Sequence, residues 1–125
     1  MNLLLDTHTL IWCFSNPDEL RADTRASVQD GENQVYVSAA STLEIAIKSA
    51  LGKLEQPRNL NELMQRSRFE ELPVTIAHTQ VITQFPLIHG DPFDRLLAAQ
   101  AKHEGFTLVT RDKQLLGYPI KTMVA

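Results

Sequence analysis

NLLLDTHTLIW (residues 2–12) sets a strand-length apolar run, a carboxylate and the start of a second apolar segment side by side. Residues 2–6 read as a short buried strand. The segment from Thr7 to Phe14 reads as a helix that begins with almost no loop. Asp6 stands at the junction. An aspartate there caps the next helix, because its oxygen accepts a first-turn N–H. It can equally belong to a site, because ligands of α/β sheets bind beyond the carboxyl ends of the strands. The stretch alone leaves both roles open.

The same grammar recurs along the chain. SNPDEL (15–20) carries a helix-start signal, and a polar helix is expected from about Asp18 to Gln29. QVYVS (34–38) is β-branched and aromatic, hence a strand. Ser38 or Ser41 then caps a helix with apolar residues at Ala39, Leu43, Ala46, Ile47 and Leu51, closed by Gly52. A helix follows from Asn59 or Asn61 through Arg68, then a strand at ELPVT (71–75). Ile76 to Phe85 is a short helix stopped by Pro86. Asp91-Pro92 opens a helix to about Glu104, and Gly105 ends it. FTLVT (106–110) is a strand, 113–116 a helical turn, and a last strand lies near 120–124. Short apolar strands alternating with helices predict an α/β fold with a central, mostly parallel sheet covered on both faces.

The 125 residues suit a single domain spanning 1–125, with 43% apolar and 22% charged residues. The one cysteine, Cys13, excludes an internal disulfide and fits a reducing compartment. No apolar run is long enough to span a membrane, and no basic stretch precedes the first apolar run as in a signal peptide. A cytoplasmic protein is expected. The net charge of −3 excludes a globally basic nucleic-acid coat but not a local basic rim. An acidic metal pocket would itself lower the total.

Four acids fall at the expected ligand edge of the sheet. Asp6 ends the first strand, and Asp112 follows FTLVT. Glu44 sits about two turns into the helix after QVYVS, and Asp94 in the first turn of the helix opened by Asp91-Pro92. Each also has an ordinary role: cap for Asp6, dipole partner for Asp94, turn residue for Asp112, and an i,i+4 pair with Lys48 for Glu44. Glu44 resists that reading most, since Leu43, Ile45, Ala46 and Ile47 around it suggest a largely buried helix. Asp91 and Asp94 share a helix face; Asp91 is read as the N-cap and Asp94 as the ligand. Several carboxylates in one cleft repel, and a divalent cation removes that conflict. Oxygen donors without paired His or Cys favour Mg²⁺ or Mn²⁺. The implied chemistry is metal-assisted hydrolysis of a phosphodiester. Lys48, Arg95, Arg111 and Lys113 lie close enough in sequence to the acids to contact phosphates. His8, His78, His89 and His103 lack paired ligand spacing, so no zinc site is expected; His8 is placed at the cleft mouth or on the helix surface. Trp12 and Phe14 are assigned to the core or a dimer interface.

LLLDTHTLIW, SAASTLEIAIK, DPFDRLLAAQA and LVTRD, in that order and spacing, resemble the PIN-domain ribonucleases, specifically the small VapC-like toxins of bacterial toxin–antitoxin pairs. The resemblance covers essentially the whole chain. It implies a three-layer α/β/α fold and a Mg²⁺- or Mn²⁺-dependent endoribonuclease. The family's acids map onto Asp6 and Asp94 as principal metal ligands, Glu44 as a metal- or water-positioning group, and Asp112 as the completing acid. Thr110 matches the small hydroxyl residue of the last motif, while Thr7 is expected to cap the first helix. The resemblance also implies an RNA substrate, a cognate antitoxin protein and a homodimer. Two other classes stay in view. One is a non-catalytic protein-binding module in which the acids are caps. The other is an aspartyl-phosphate enzyme, which disagrees with His8 standing where such sites carry a second acid.

Overall fold

The fold, obtained as a computed structural model, is described for residues 1–86 and 90–125. Leu3, Leu4 and Leu5 form β1 (Asn2–Leu5) and are fully buried, as befits a central strand covered on both faces. β1 pairs on one side with β2 (Gln34–Ser38) and on the other with β4 (Thr107–Thr110). β3 (Glu70–Leu72) lies outside β2, and β5 (Thr122–Val124) outside β4. All five pair parallel, in the order β3-β2-β1-β4-β5.

Strand alternation splits β1 between two cores. Leu3 and Leu5 join Leu10, Val35, Val37, Ile45 and Val109 on one face. That face is covered by α1 (Thr7–Ser15), α2 (Ala22–Gln29), α3 (Ala39–Ala50) and α4 (Leu60–Ser67). Leu4 joins Leu72, Val81, Leu97, Leu108 and Leu115 on the other. There α5 (Ile76–Val81), α6 (Pro92–Glu104) and α7 (Lys113–Leu116) cover the sheet. The three-layer α/β/α arrangement follows, with a wholly parallel sheet.

The caps are local and legible. Ser38 caps α3, Asp91 caps α6 with Pro92 in its first turn, and Gly105 at φ 72° ends α6. Three expectations change. The helix expected from Asp18 breaks into a 3-10 turn at Pro17–Glu19 and α2, because Leu20 is extended and buried in the core between them. The third strand is Glu70–Leu72 rather than 71–75, since Pro73 cannot donate to the ladder. The most consequential change concerns α3, which is not buried all round. Its inner face is Ala40, Ser41, Glu44 and Ile45, while Leu43, Ile47 and Leu51 are 53%, 44% and 63% exposed.

The topology locates the ligand edge. From β1 the chain steps outward through β2 to β3, then returns to place β4 against the other side of β1. The order therefore reverses between β1 and β4, and a crevice opens at the carboxyl ends of this pair.

Candidate functional site

Each of the two strands at the crevice delivers an acid to it. Asp6 leaves β1 nearly fully buried. Its Oδ1 accepts the Thr9 N–H at 2.9 Å and caps α1. Its Oδ2 accepts the Thr110 hydroxyl at 2.6 Å. The same hydroxyl accepts the Asp112 N–H at 3.1 Å, so Thr110 links the acids that follow β1 and β4. Asp112 in turn caps α7 by accepting the Gln114 N–H.

Thr7 does not cap α1. Asp6, one residue earlier, holds the N-cap position, which leaves the Thr7 hydroxyl free to donate to Glu44 Oε1 at 2.6 Å. Glu44 is only 3% exposed on the inner face of α3. Its Oε2 meets Lys48 Nζ at 2.5 Å, so the i,i+4 pair exists and both carboxylate oxygens have donors. A buried carboxylate keeps its charge only with such partners. The hydrogen bond to Glu44 holds the Lys48 ammonium above the usual lysine range, against partial burial, with the fields of Glu44, Asp91 and Asp94 adding to it.

Asp94 comes from the first turn of α6, next to the cap Asp91, which accepts the Phe93 N–H at 2.8 Å. Asp6, Glu44, Asp94 and Asp112 line one cleft of about 380 Å³, together with Asp91 and two cationic side chains, Lys48 and Arg111. His8 and Trp12 complete the wall; His8 is exposed, its ring 6.0 Å from that of Trp12. Arg111 lies 4.4 Å over the Trp12 ring and donates to the Glu19 and Ala125 carbonyl oxygens. Arg95 and Lys113 do not line this cleft, and the Arg95 Nε is buried. Phe14 lies in the core, stacked on Phe69 at 5.6 Å. Among the described residues, no three of the acids bring oxygens within 4.8 Å of one another. Hard oxygen donors spaced this openly fit a divalent ion that keeps part of its water shell.

The PIN-domain family profile matches residues 3–120. The chain belongs to the PIN-domain family. Ribonuclease VapC22 of Mycobacterium tuberculosis (strain ATCC 25618 / H37Rv) is 30% identical over 122 residues, covering 90% of this chain and 88% of the relative. Ribonuclease VapC16 of the same organism is 44% identical over 61 residues, 46% of this chain and 43% of that protein. The structure of VapBC2 from Rickettsia felis, bound to a DNA fragment from its promoter, matches with a TM-score of 0.71 at 18% identity over 98% of each chain. DNA-bound VapBC from Salmonella typhimurium matches with a TM-score of 0.70 at 20% identity, over 98% of this chain and 97% of the other.

The PIN domain has a second polar cluster, on the α5–α6 face. His78, His103 and Glu104 bring potential ligand atoms within 4.8 Å of one another, although sequence spacing showed no pairing. His89 lies outside the described residues. The tautomer of His78 speaks against a metal there. Its Nδ1 accepts the Thr75 N–H at 3.0 Å, so Nε2 carries the proton and faces Glu104 at 3.4 Å. An ion on Nε2 would require an imidazolate. The cluster continues into the core through Gln100, whose Oε1 accepts the Ser38 hydroxyl at 2.5 Å and whose amide nitrogen lies 3.4 Å from the Pro73 carbonyl. Sequence reading passed over Gln100, yet a lone amide inside the apolar stretch LLAAQA is the kind of residue that must find buried partners.

Proposed function

We propose that this PIN domain is a Mg²⁺- or Mn²⁺-dependent endoribonuclease that hydrolyses RNA phosphodiester bonds as the toxin of a toxin–antitoxin pair. One observation carries the reading: Asp6, Glu44, Asp94 and Asp112 share a cleft at the switch point of a parallel sheet. The names of VapC22 and VapC16 support ribonuclease chemistry, and the VapBC complexes among the structural matches support an antitoxin partner.

A bound divalent ion supplies charge neutralisation, polarisation of the scissile phosphate and a more acidic water. Asp6 and Asp94 are its principal holders, with Glu44 and Asp112 completing the set. The chain's own residues prepare these groups. Thr110 fixes Asp6 against the start of α7, and Thr7 fixes Glu44 against the start of α1. Glu19, Trp12 and the Ala125 carbonyl hold Arg111 at the cleft wall, where its charge meets a phosphate backbone. A homodimer is supported by the exposed apolar stripe of Leu43 and Ile47 on α3 and its C-cap Leu51, which a second copy would cover. Residues 1–125 act as one domain, and the place of action is the cytoplasm. Among the described residues, no helix is long and apolar enough to cross a membrane.

A protein-binding module is the competing reading, and one observation favours it: Asp6, Asp91 and Asp112 do cap helices. It accounts for Glu44 only as a buried ion pair with Lys48, a costly way to build the inner face of a helix. The test is cleavage of RNA by the purified chain with Mn²⁺, halted by EDTA. Asp6→Asn and Asp94→Asn should each lower cleavage by at least about 100-fold while the melting temperature stays within a few degrees. Wild-type cleavage by either variant overturns the site assignment.

A further inference from the structure

We infer that Lys48 is a resident counter-cation of the acid cleft, holding Glu44 in place when no divalent ion is bound and yielding it when one binds. The inference rests on the metal-dependent reading above and adds a competitor for the same carboxylate. An ordinary i,i+4 helix pair has both ends in water and holds only weakly. Here the carboxylate is 3% exposed, and the ammonium reaches into a cleft that also contains Asp6, Asp91, Asp94 and Asp112.

Among the described residues, Lys48 and Arg111 are the cations of the cleft wall. Arg111 is held by Glu19, Ala125 and Trp12. Lys48 is bonded to one of the four acids themselves, and its side chain is 39% exposed, so it has room to leave. It also has somewhere to go. Lys48, Glu44 and His8 form the partition between the acid cleft and a neighbouring hollow of about 230 Å³ that is lined by Lys53 and Leu54. With Lys48 turned aside, Glu44 keeps its Thr7 hydrogen bond and its placement on α3. A flexible ammonium suits this exchange better than a guanidinium, whose fork would bind the carboxylate in two places.

Titration calorimetry of Mn²⁺ into the full chain tests the exchange. Lys48→Met should bind Mn²⁺ tighter by at least about fivefold, the upper range for an exposed ion pair, since here the ion no longer has to break a pair whose carboxylate is buried. In a Glu44→Gln background, the same substitution should change affinity by less than about twofold, since the contested carboxylate is gone. Lys48→Gln repeats the measurement with a polar side chain in case the methionine variant folds poorly. Unchanged or weaker Mn²⁺ binding by both Lys48 variants overturns the inference. So does equal tightening with and without Glu44, which would reduce Lys48 to a distant repulsive charge. A wild-type chain that binds no Mn²⁺ sinks this inference and the functional reading together. A chain that binds Mn²⁺ and cleaves RNA, with affinity indifferent to Lys48, sinks this one alone.

Discussion

Two polar clusters lie on this sheet, and they are built on opposite terms. On the α5–α6 side, Ser38, Gln100, Thr75 and His78 pair donors with acceptors: hydroxyl to amide oxygen, backbone N–H to Nδ1. At the crevice between β1 and β4, among the described residues, carboxylates outnumber cations five to two along one wall. The first cluster is complete by itself. The second carries a surplus of negative charge, which an arriving cation would offset. A neutral network holds elements together; a charged cleft binds.

Substitutions should separate the two. At the crevice, Asp6→Asn should lower RNA cleavage by about 10²–10³-fold, the scale for removing one group of an electrostatic site. The fold should persist, because an asparagine oxygen still accepts the Thr9 N–H. A thermal melt with Mn²⁺ at about 100 times its dissociation constant should gain about 2.7 kcal/mol. That is roughly ten degrees for a chain of this size, and EDTA or Asp94→Asn should remove the gain. At the other cluster, Gln100→Leu should cost about 1–3 kcal/mol by stranding the Ser38 hydroxyl and the Pro73 carbonyl, yet leave Mn²⁺ affinity unchanged. If Gln100→Leu weakened Mn²⁺ binding more than it lowered the melting temperature, the division between the clusters would fail.

The smallest effect concerns Cys13, behind the crevice on α1. Burial, with Asp6 adding, raises its thiol from 9.0 to about 11. A raised thiol keeps its proton in the folded chain after the unfolded chain has lost it, so its contribution is full below pH 9 and lost as pH rises towards 11. Urea titrations at pH 8 and pH 10.5 should show a falling stability that Cys13→Ala makes flatter. Alkylation at pH 8 should be slow in the native chain.

How much of this was legible beforehand depends on whether the cause was local. The apolar runs of β1, β2 and β4, the Asp91-Pro92 start and the Gly105 stop are local, and they were read correctly. Placing Asp6, Glu44, Asp94 and Asp112 at one sheet edge needed only the alternation of strands and helices. The sequence offers Asp6 as cap or site, but a carboxylate has two oxygens: one serves the cap and the other faces Thr110. What escaped was pairing across distance. Thr7 and Glu44 are 37 positions apart, Ser38 and Gln100 62. No periodicity announces such partners. The exposed face of α3 escaped for a different reason. A helix apolar all round reads as buried, and only the fold shows that Leu43, Ile47 and Leu51 point away from this chain's own core.

The hydrogen bond from Thr110 to Asp6 spans 104 positions, and β4 must lie against β1 before it can form. Chains emerge from synthesis N-terminus first, and contacts between distant segments form slowly. While residues 45–109 are being made, then, the growing chain carries Asp6 and Glu44 but neither Thr110 nor Asp112. The hydroxyl that joins the two strand ends comes with β4, so the cleft is assembled only after β1, β2 and β3 have been made. A fragment that ends before β4 would hold Asp6, Glu44 and Asp94 but lack the strand that brings Thr110 to Asp6.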